Sequence, residues 1–286
     1  MVLISQSTFH RINWTTPLNE IFPNLSSSLF KYGPVSNVAR TLNDCTVGFS
    51  PLGNFNDIYE SDYRFVHYFK SEEDTKRLLD TPYNAVTKAR KLIDSQLLKY
   101  RVSCFSRRAN ISLMWSHYAD HHKGVCYCFK AEKPEGVFVN PVNWGSVVYS
   151  SQLPTLTVYQ DYIRKNMLDA IASDVLLTKP MEWAYEEEVR YWSTASSPAV
   201  SFDPSKLRAI IVGRRTIDSE IDQIKLEIDT FNQTNNQTVE MWFAHRNVSS
   251  FTLGVCNDRG FRNGSETSIS DRIPILPASS DDALTS

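Results

Sequence analysis

The six-residue run Leu207–Val212 (LRAIIV), closed by Gly213, constrains this chain more than any other stretch. Apolar character over the length of a strand, interrupted only by Arg208, fits a strand covered on both faces. An amphipathic helix is expected directly after it, over Thr216–Phe231, and two more strands over Thr238–His245 and Phe251–Val255. A second apolar run, Val125–Phe129 (VCYCF), begins right after Gly124. Shorter strands are expected at Leu29–Tyr32, Cys45–Ser50, Val102–Ser106, Val137–Asn140, Ser146–Tyr149 and Glu187–Ser193. Helices are expected at Val35–Asn43, at Ser71–Tyr100 with a break or kink at Pro82, and at Thr157–Thr178, which stops at Lys179-Pro180. The expected fold is α+β, a mixed β-sheet flanked by helices. Residues 1–28 read as an irregular N-terminal segment, 29–256 as a single domain, and the Ser-, Asp- and Gly-rich 257–286 as a disordered tail.

Composition narrows the functional classes. A chain of 286 residues with 42% hydrophobic and 22% charged residues can bury a substantial core. A net charge of −2 supplies no overall basic field to recruit nucleic acid. No apolar run reaches membrane-spanning length, and MVLISQSTFHRINW lacks the basic start and apolar core of a signal peptide. The five cysteines, Cys45, Cys104, Cys126, Cys128 and Cys256, are scattered and lack paired C-x-x-C spacing. Cys126 and Cys128 alternate along one strand face, which suits packing better than metal. The expectation is a reduced, soluble, cytoplasmic protein without a membrane partner or a bound metal.

Two clusters carry the chemistry. In Leu113–Gly124 (LMWSHYADHHKG), a continuous helix would put Trp115, Tyr118 and His122 on one face and His117, Asp120 and His121 on another, with Gly124 as a left-handed C-terminal residue. The alternative is that Trp115 and Tyr118 are core and the histidines are solvated. In Lys179–Tyr191 (KPMEWAYEEEVRY), an extended Tyr185–Tyr191 would project Glu186, Glu188 and Arg190 from one face. Two carboxylates about 7 Å apart repel, so at least one pKa rises, while Arg190 holds a neighbour charged and oriented. The alternative here is a solvated edge strand of alternating charge, against which Trp183 and Trp192 indicate partial burial.

LFKYG at 29–33, VGFSPLGNFNDIYE at 47–60, the W-S-H-Y-A run at 115–119, W-x-Y-E-x-E-x-R at 183–190 and FDPSKLRAIIVG at 202–213 occur in order. Together they resemble the bacterial domain-of-unknown-function family 2971. That family's loop usually reads N-D-P-F-E; here Asn56, Asp57 and Glu60 are kept, while Ile58 and Tyr59 replace its proline and phenylalanine. More distantly, the order of the parts looks like the split-sheet fold of the ADP-ribosyltransferases, which would make the sheet here a split one.

That resemblance implies NAD as substrate, with cleavage of the bond between nicotinamide and ribose. Glu188 would be the catalytic carboxylate facing the developing ribosyl cation, and Glu186 its partner in activating an acceptor. Tyr118 or Trp115 would be the aromatic platform for cationic nicotinamide. His117 and His122 would donate to ribose or phosphate. Lys31, beside Tyr32 on the first strand, would anchor phosphate or the second ribose, and Arg190 would orient the acids. The fold usually carries His or Arg on that strand, so Lys31 departs from it. A toxin or phage-defence effector would use such an activity. Two other classes stay open: a nuclease built on His117, Asp120, His121 and His122 with Asp57 and Glu60, and a sensor domain that binds a nucleotide or a protein without catalysis.

Overall fold

The computed structural model describes residues 27–69, 83–159, 168–194, 197–246 and 251–256. Its strands are β1 (Ser28–Gly33), β2 (Thr46–Gly48), β3 (Ser50–Pro51), β4 (Arg64–Phe69), β5 (Arg101–Ser106), β6 (Val125–Lys130), β7 (Asn143–Ser146), β8 (Val148–Ser150), β9 (Thr155–Tyr159), β10 (Thr178–Pro180), β11 (Glu188–Ser193), β12 (Ala199–Ser201), β13 (Leu207–Val212), β14 (Glu240–Arg246) and β15 (Leu253–Cys256). Its helices are α1 (Val38–Asn43), α2 (Tyr83–Leu97), α3 (Ser112–Tyr118), α4 (Leu168–Leu176) and α5 (Asp218–Asn235).

Nine strands form one mixed sheet in the order β15-β14-β13-β6-β1-β5-β11-β7, with β3 added beside β5. β13 and β14 are parallel, as a crossover through α5 requires; the other pairs along this path are antiparallel. LRAIIV becomes β13, sandwiched between β6 and β14, with every residue but Arg208 buried. This is the α+β mixed sheet that the apolar runs predict.

One face of the sheet lies under α1 and α5. Ile221, Ile224, Ile228 and Phe231 recur at helical spacing along α5 and pack with Val38 and Leu42 on Leu29, Phe129, Ile210 and Val212. The opposite face is covered in two separate patches. Trp115 and Met114 of α3 cover Phe30, Tyr32, Cys126 and Cys128, whereas Ile93, Leu97, Val175 and Leu176 of α2 and α4 cover Val102 and Trp192. Between the patches the sheet itself opens. β1 meets β5 through one residue pair, Phe30 with Ser106, although it runs along β6 for six. Lys31 fills the opening, its Nζ donating to the Cys104 carbonyl at 3.0 Å and lying 5.6 Å from the centre of the Phe105 ring.

Several expectations are corrected. Of the helix foreseen over Thr157–Thr178, α4 is helical, residues 160–167 lie outside the described residues, and the two ends are instead the strands β9 and β10; β9 is a β-branched stretch that pairs in parallel with β4. Val137–Asn140 forms no strand, only a bridge between Phe138 and Phe202. The expected helix Val35–Asn43 splits into a 3-10 turn and α1. Residues 1–26, 70–82 and 257–286 lie outside the described residues, and with them most of the irregular N-terminal segment, the Pro82 kink and the tail.

Candidate functional site

Pro180 ends β10 and starts the 3-10 turn Met181–Glu186, so Tyr185–Glu187 is not extended as the sequence pattern suggested. Glu187 then takes a left-handed conformation (φ 44°) that returns the chain to the sheet as β11. β11 is no solvated edge: it lies between β5 and β7, and Glu188, Val189, Arg190, Tyr191 and Trp192 are all buried. Val189 and Tyr191 join the large core, while Glu188 and Arg190 face the gap between the two smaller ones. Glu187 points outward and pairs with Arg108 at 3.2 Å.

Five charged side chains meet in that gap. Arg190, fully buried, grips Glu188 with two parallel bonds, Nε to Oε1 at 2.9 Å and Nη2 to Oε2 at 3.0 Å. The same Nη2 donates to Glu60 Oε1 at 2.9 Å, and Nη1 donates to the Leu176 carbonyl at 2.6 Å. Lys179 Nζ lies 2.6 Å from Glu186, 3.2 Å from Glu60 and 3.4 Å from Glu188. The Tyr118 hydroxyl donates to Glu186 Oε1 at 2.7 Å, and the Glu188 amide donates to the Tyr149 hydroxyl at 2.8 Å. Three carboxylates thus share two cations in a place where each of the four Lys179 and glutamate side chains is 2–3% exposed.

The charges separate the two acids of the 186/188 pair. Burial alone would raise the Glu188 carboxyl, but Arg190 and Lys179 outweigh it and hold the group at about 2. Glu186 moves the other way, raised by burial and by the charge of Glu188 against the pull of Lys179 and Tyr118. Burial works against the charge on Lys179, yet the three carboxylates more than compensate and raise its pKa. Burial lowers Lys31, with Glu188 too weak an influence to reverse it.

A cleft of about 330 Å³ opens onto this network, lined by Lys31, Asn56, His117, Tyr118, Glu186 and Glu188 among others. That volume is at the small end for ligand sites and suits a nucleoside-sized group. Of the residues expected at the site, Lys31, Tyr32, His117, Tyr118, Glu186 and Glu188 line the cleft together. Tyr32 is largely core, its hydroxyl donating to the Arg108 carbonyl at 2.8 Å and its ring edge-on to Trp115.

Three residues fall elsewhere. Trp115 has no exposed surface and donates from Nε1 to the Ala109 carbonyl at 2.7 Å, so it offers a ligand no ring face. Arg190 is beneath the cleft wall and touches the acids rather than the opening. His122 leaves the helix face assigned to it, because α3 stops at Tyr118 and Asp120, His121 and His122 are all left-handed (φ 43°, 53° and 70°). Its imidazole is lowered by burial and by Arg215 and His121. Gly124 does not have the positive φ expected of it. It is glycine because a Cβ there would run into the Gly33 carbonyl and the backbone of Ala119. Among the described residues no group of three or more His, Cys, Asp or Glu is arranged to hold a metal ion.

Lys179 and Tyr149 were not foreseen as site residues, and Glu60 only among the acids of the nuclease alternative. Glu60 had a signal, the N-D-x-x-E loop; Lys179 had one in its place seven residues before Glu186. Tyr149 had none.

Fold and site together define an α+β domain with a buried carboxylate–cation network at the opening of its sheet. Residues 114–191 match the model of a family described as protein of unknown function, DUF2971. The matched segment runs from α3 through most of β11 and includes Tyr118, Lys179, Glu186, Glu188 and Arg190, but neither Lys31 nor Glu60. No curated protein and no solved structure matches the chain.

Proposed function

We propose that this protein cleaves the N-glycosidic bond between nicotinamide and ribose in NAD, as an ADP-ribosyltransferase-like enzyme. The observation that carries the reading is the opposite displacement of two acids in one cleft wall: Glu188 held ionised at about 2, Glu186 raised. Paired acids pushed apart in this way divide acid–base labour. As the bond breaks, its electron pair leaves with nicotinamide, which becomes neutral, and positive charge develops on the ribose. Glu188 is a fixed anion for that charge, preorganised by its bidentate grip from Arg190. Glu186 takes the proton of the incoming nucleophile, water or an acceptor hydroxyl, for which a raised carboxyl pKa is better matched to neutral pH. Tyr118, half-buried beside Glu186, offers an aromatic face to the cationic nicotinamide ring. His117 and Lys31 supply donors for ribose and phosphate.

The test is nicotinamide release from NAD by the purified protein, with and without cell lysate, beside Glu188→Gln and Glu186→Gln. Release abolished by Glu188→Gln and reduced by Glu186→Gln is the expected result; label transferred to a lysate component would identify the acceptor. No release from folded protein overturns the reading.

One observation favours a second reading, a domain that binds a nucleotide without turning it over. Both oxygens of Glu188 are held by Arg190, and those of Glu186 by Tyr118 and Lys179, a closed network of a structural kind. Saturable NAD binding with no nicotinamide release would favour it. The nuclease reading gains nothing comparable, since His117 faces the cleft while His122 sits against Arg215.

A further inference from the structure

We infer that the ring cluster of His117, Trp183 and Tyr185 at the mouth of the cleft is a binding site for the purine nucleotide half of the substrate. The inference rests on the NAD reading for the identity of that substrate. A cleft of about 330 Å³ holds one nucleoside-sized group against the acids, so the second half of a dinucleotide lies on the surface next to it. On the side of Lys179, that surface is aromatic. The His117 ring, itself in the cleft lining, is 6.0 Å from Tyr118 and 6.0 Å from Trp183, and Trp183 is 6.1 Å from Tyr185. The rings therefore form a continuous series of contacts that starts at Tyr118, beside Glu186, and passes through exposed His117 to Trp183.

Two further features point to a ligand rather than to core packing. His117 is exposed and Trp183 is half-buried and outside the apolar clusters, whereas Tyr185 packs on the patch under α3, so the ring surface open to a ligand is that of His117 and Trp183. Buried Trp and Tyr ordinarily hydrogen-bond through N–H and O–H, whereas donors that reach the surface stay available to a ligand. Among the described residues Trp183 Nε1 and the Tyr185 hydroxyl bond no protein group, in contrast with Trp115, Tyr32, Tyr118 and Tyr191, and neither is a buried atom, so both are open to a ligand. An adenine ring offers stacking for the rings and acceptor nitrogens for those donors. Lys179 Nζ, 4.7 Å from the centre of the Trp183 ring, ties the platform to the network. The two halves of a dinucleotide would thus be read by groups that share Lys179.

The test is calorimetric titration of the full-length protein with adenosine monophosphate, in wild type, Trp183→Ala and Trp183→Phe. Loss of a base-stacking ring is expected to weaken AMP at least about fivefold in Trp183→Ala. Trp183→Phe, which keeps a smaller ring over Lys179 and removes the N–H, is expected to fall between. Equal AMP affinity in wild type and in both variants, or no AMP binding by wild type at all, overturns the inference. Its failure is separable from that of the catalytic reading. Trp183-dependent AMP binding without nicotinamide release sinks only the catalysis. Nicotinamide release whose KM for NAD is unmoved by Trp183→Ala sinks only the purine site.

Discussion

Replacing Arg190 by methionine removes the one guanidinium that joins Glu188, Glu60 and the Leu176 carbonyl, at a fully buried position. The size of the effect follows from two directions. Holding Glu188 at about 2 rather than its ordinary 4.5 corresponds to about 3 kcal/mol at neutral pH, at about 1.4 kcal/mol per pH unit. Breaking a buried ion pair by removing one partner costs about 3–5 kcal/mol, because the other charge is left uncompensated. The expected loss is therefore about 3–5 kcal/mol at pH 7, or a fall in Tm of about 10 °C.

The pH dependence is the sharper part. In wild type the folded pKa of Glu188 is depressed, so its contribution is complete above about 4.5 and is lost as pH falls toward 2. In Arg190→Met, burial dominates and raises the same carboxyl, so the contribution is present below about 4.5 and lost as pH rises. The stability gap between the two proteins should then be widest near pH 7 and narrow toward pH 3. Urea unfolding followed by circular dichroism at pH 7 and at pH 3.5 measures it. A gap below about 1 kcal/mol at pH 7, or one unchanged between the two pH values, would refute the assignment of Arg190 as the group that holds Glu188 charged.

Tyr118→Phe removes the hydroxyl that favours the ionised form of Glu186, so the Glu186 pKa should rise further and stability fall by about 1–2 kcal/mol. The pH–rate limb of nicotinamide release assigned to Glu186 should shift to higher pH; an unmoved limb would detach Glu186 from the acid–base role. Gly124→Ala and Gly213→Ala should each destabilise by about 1–3 kcal/mol. An added methyl at either position meets backbone, the Gly33 carbonyl in the first case and the His122 and Gly124 carbonyls in the second. Thermal unfolding of either variant at the wild-type Tm would contradict that packing. Glu187→Gly should be neutral or stabilising by up to about 1 kcal/mol, since it relieves a left-handed φ of 44° and gives up only a half-exposed pair with Arg108. A loss of more than about 1 kcal/mol would show that the pair with Arg108 matters more than the strained turn.

The strands that an apolar run defines were legible: LRAIIV and VCYCF became adjacent strands of the sheet interior, as their composition required. Local pattern failed where tertiary contacts decide the backbone. The helix through His122 stops early because Gly213 and Arg215 take up the carbonyls of Gly124 and His122 with their amides, at 2.8 and 2.9 Å. Those bonds hold three consecutive non-glycine residues left-handed, a choice no propensity favours. The stretch Thr155–Tyr159 carried β-branched alternation, but the amphipathic pattern that follows it masked the signal. Of the network, only the 186/188/190 part was visible as a group, because those residues are neighbours in sequence. Arg190 meets Glu60 across 130 positions, and no spacing rule reaches that far.

The network's cost argues about its purpose. Two cations and three carboxylates withdrawn from water are more expensive than an apolar filling of the same volume, and such clusters often lose nothing in stability when replaced by one. The space lies between two apolar patches on the same sheet face, either of which could have been extended across it. The ligands of the cluster come from the loop before β4, from β10, from the 3-10 turn and from β11, so four separate segments converge on charges that the fold does not need. The formal surplus of one carboxylate falls on Glu186, the acid that lines the cleft beside an aromatic ring and whose pKa is raised. A positively charged group entering the cleft would complete the balance that the protein leaves open, and would draw Glu186 toward its ionised form as it does so. On the proposed reading, the arrangement would couple binding of cationic nicotinamide to the protonation state of Glu186.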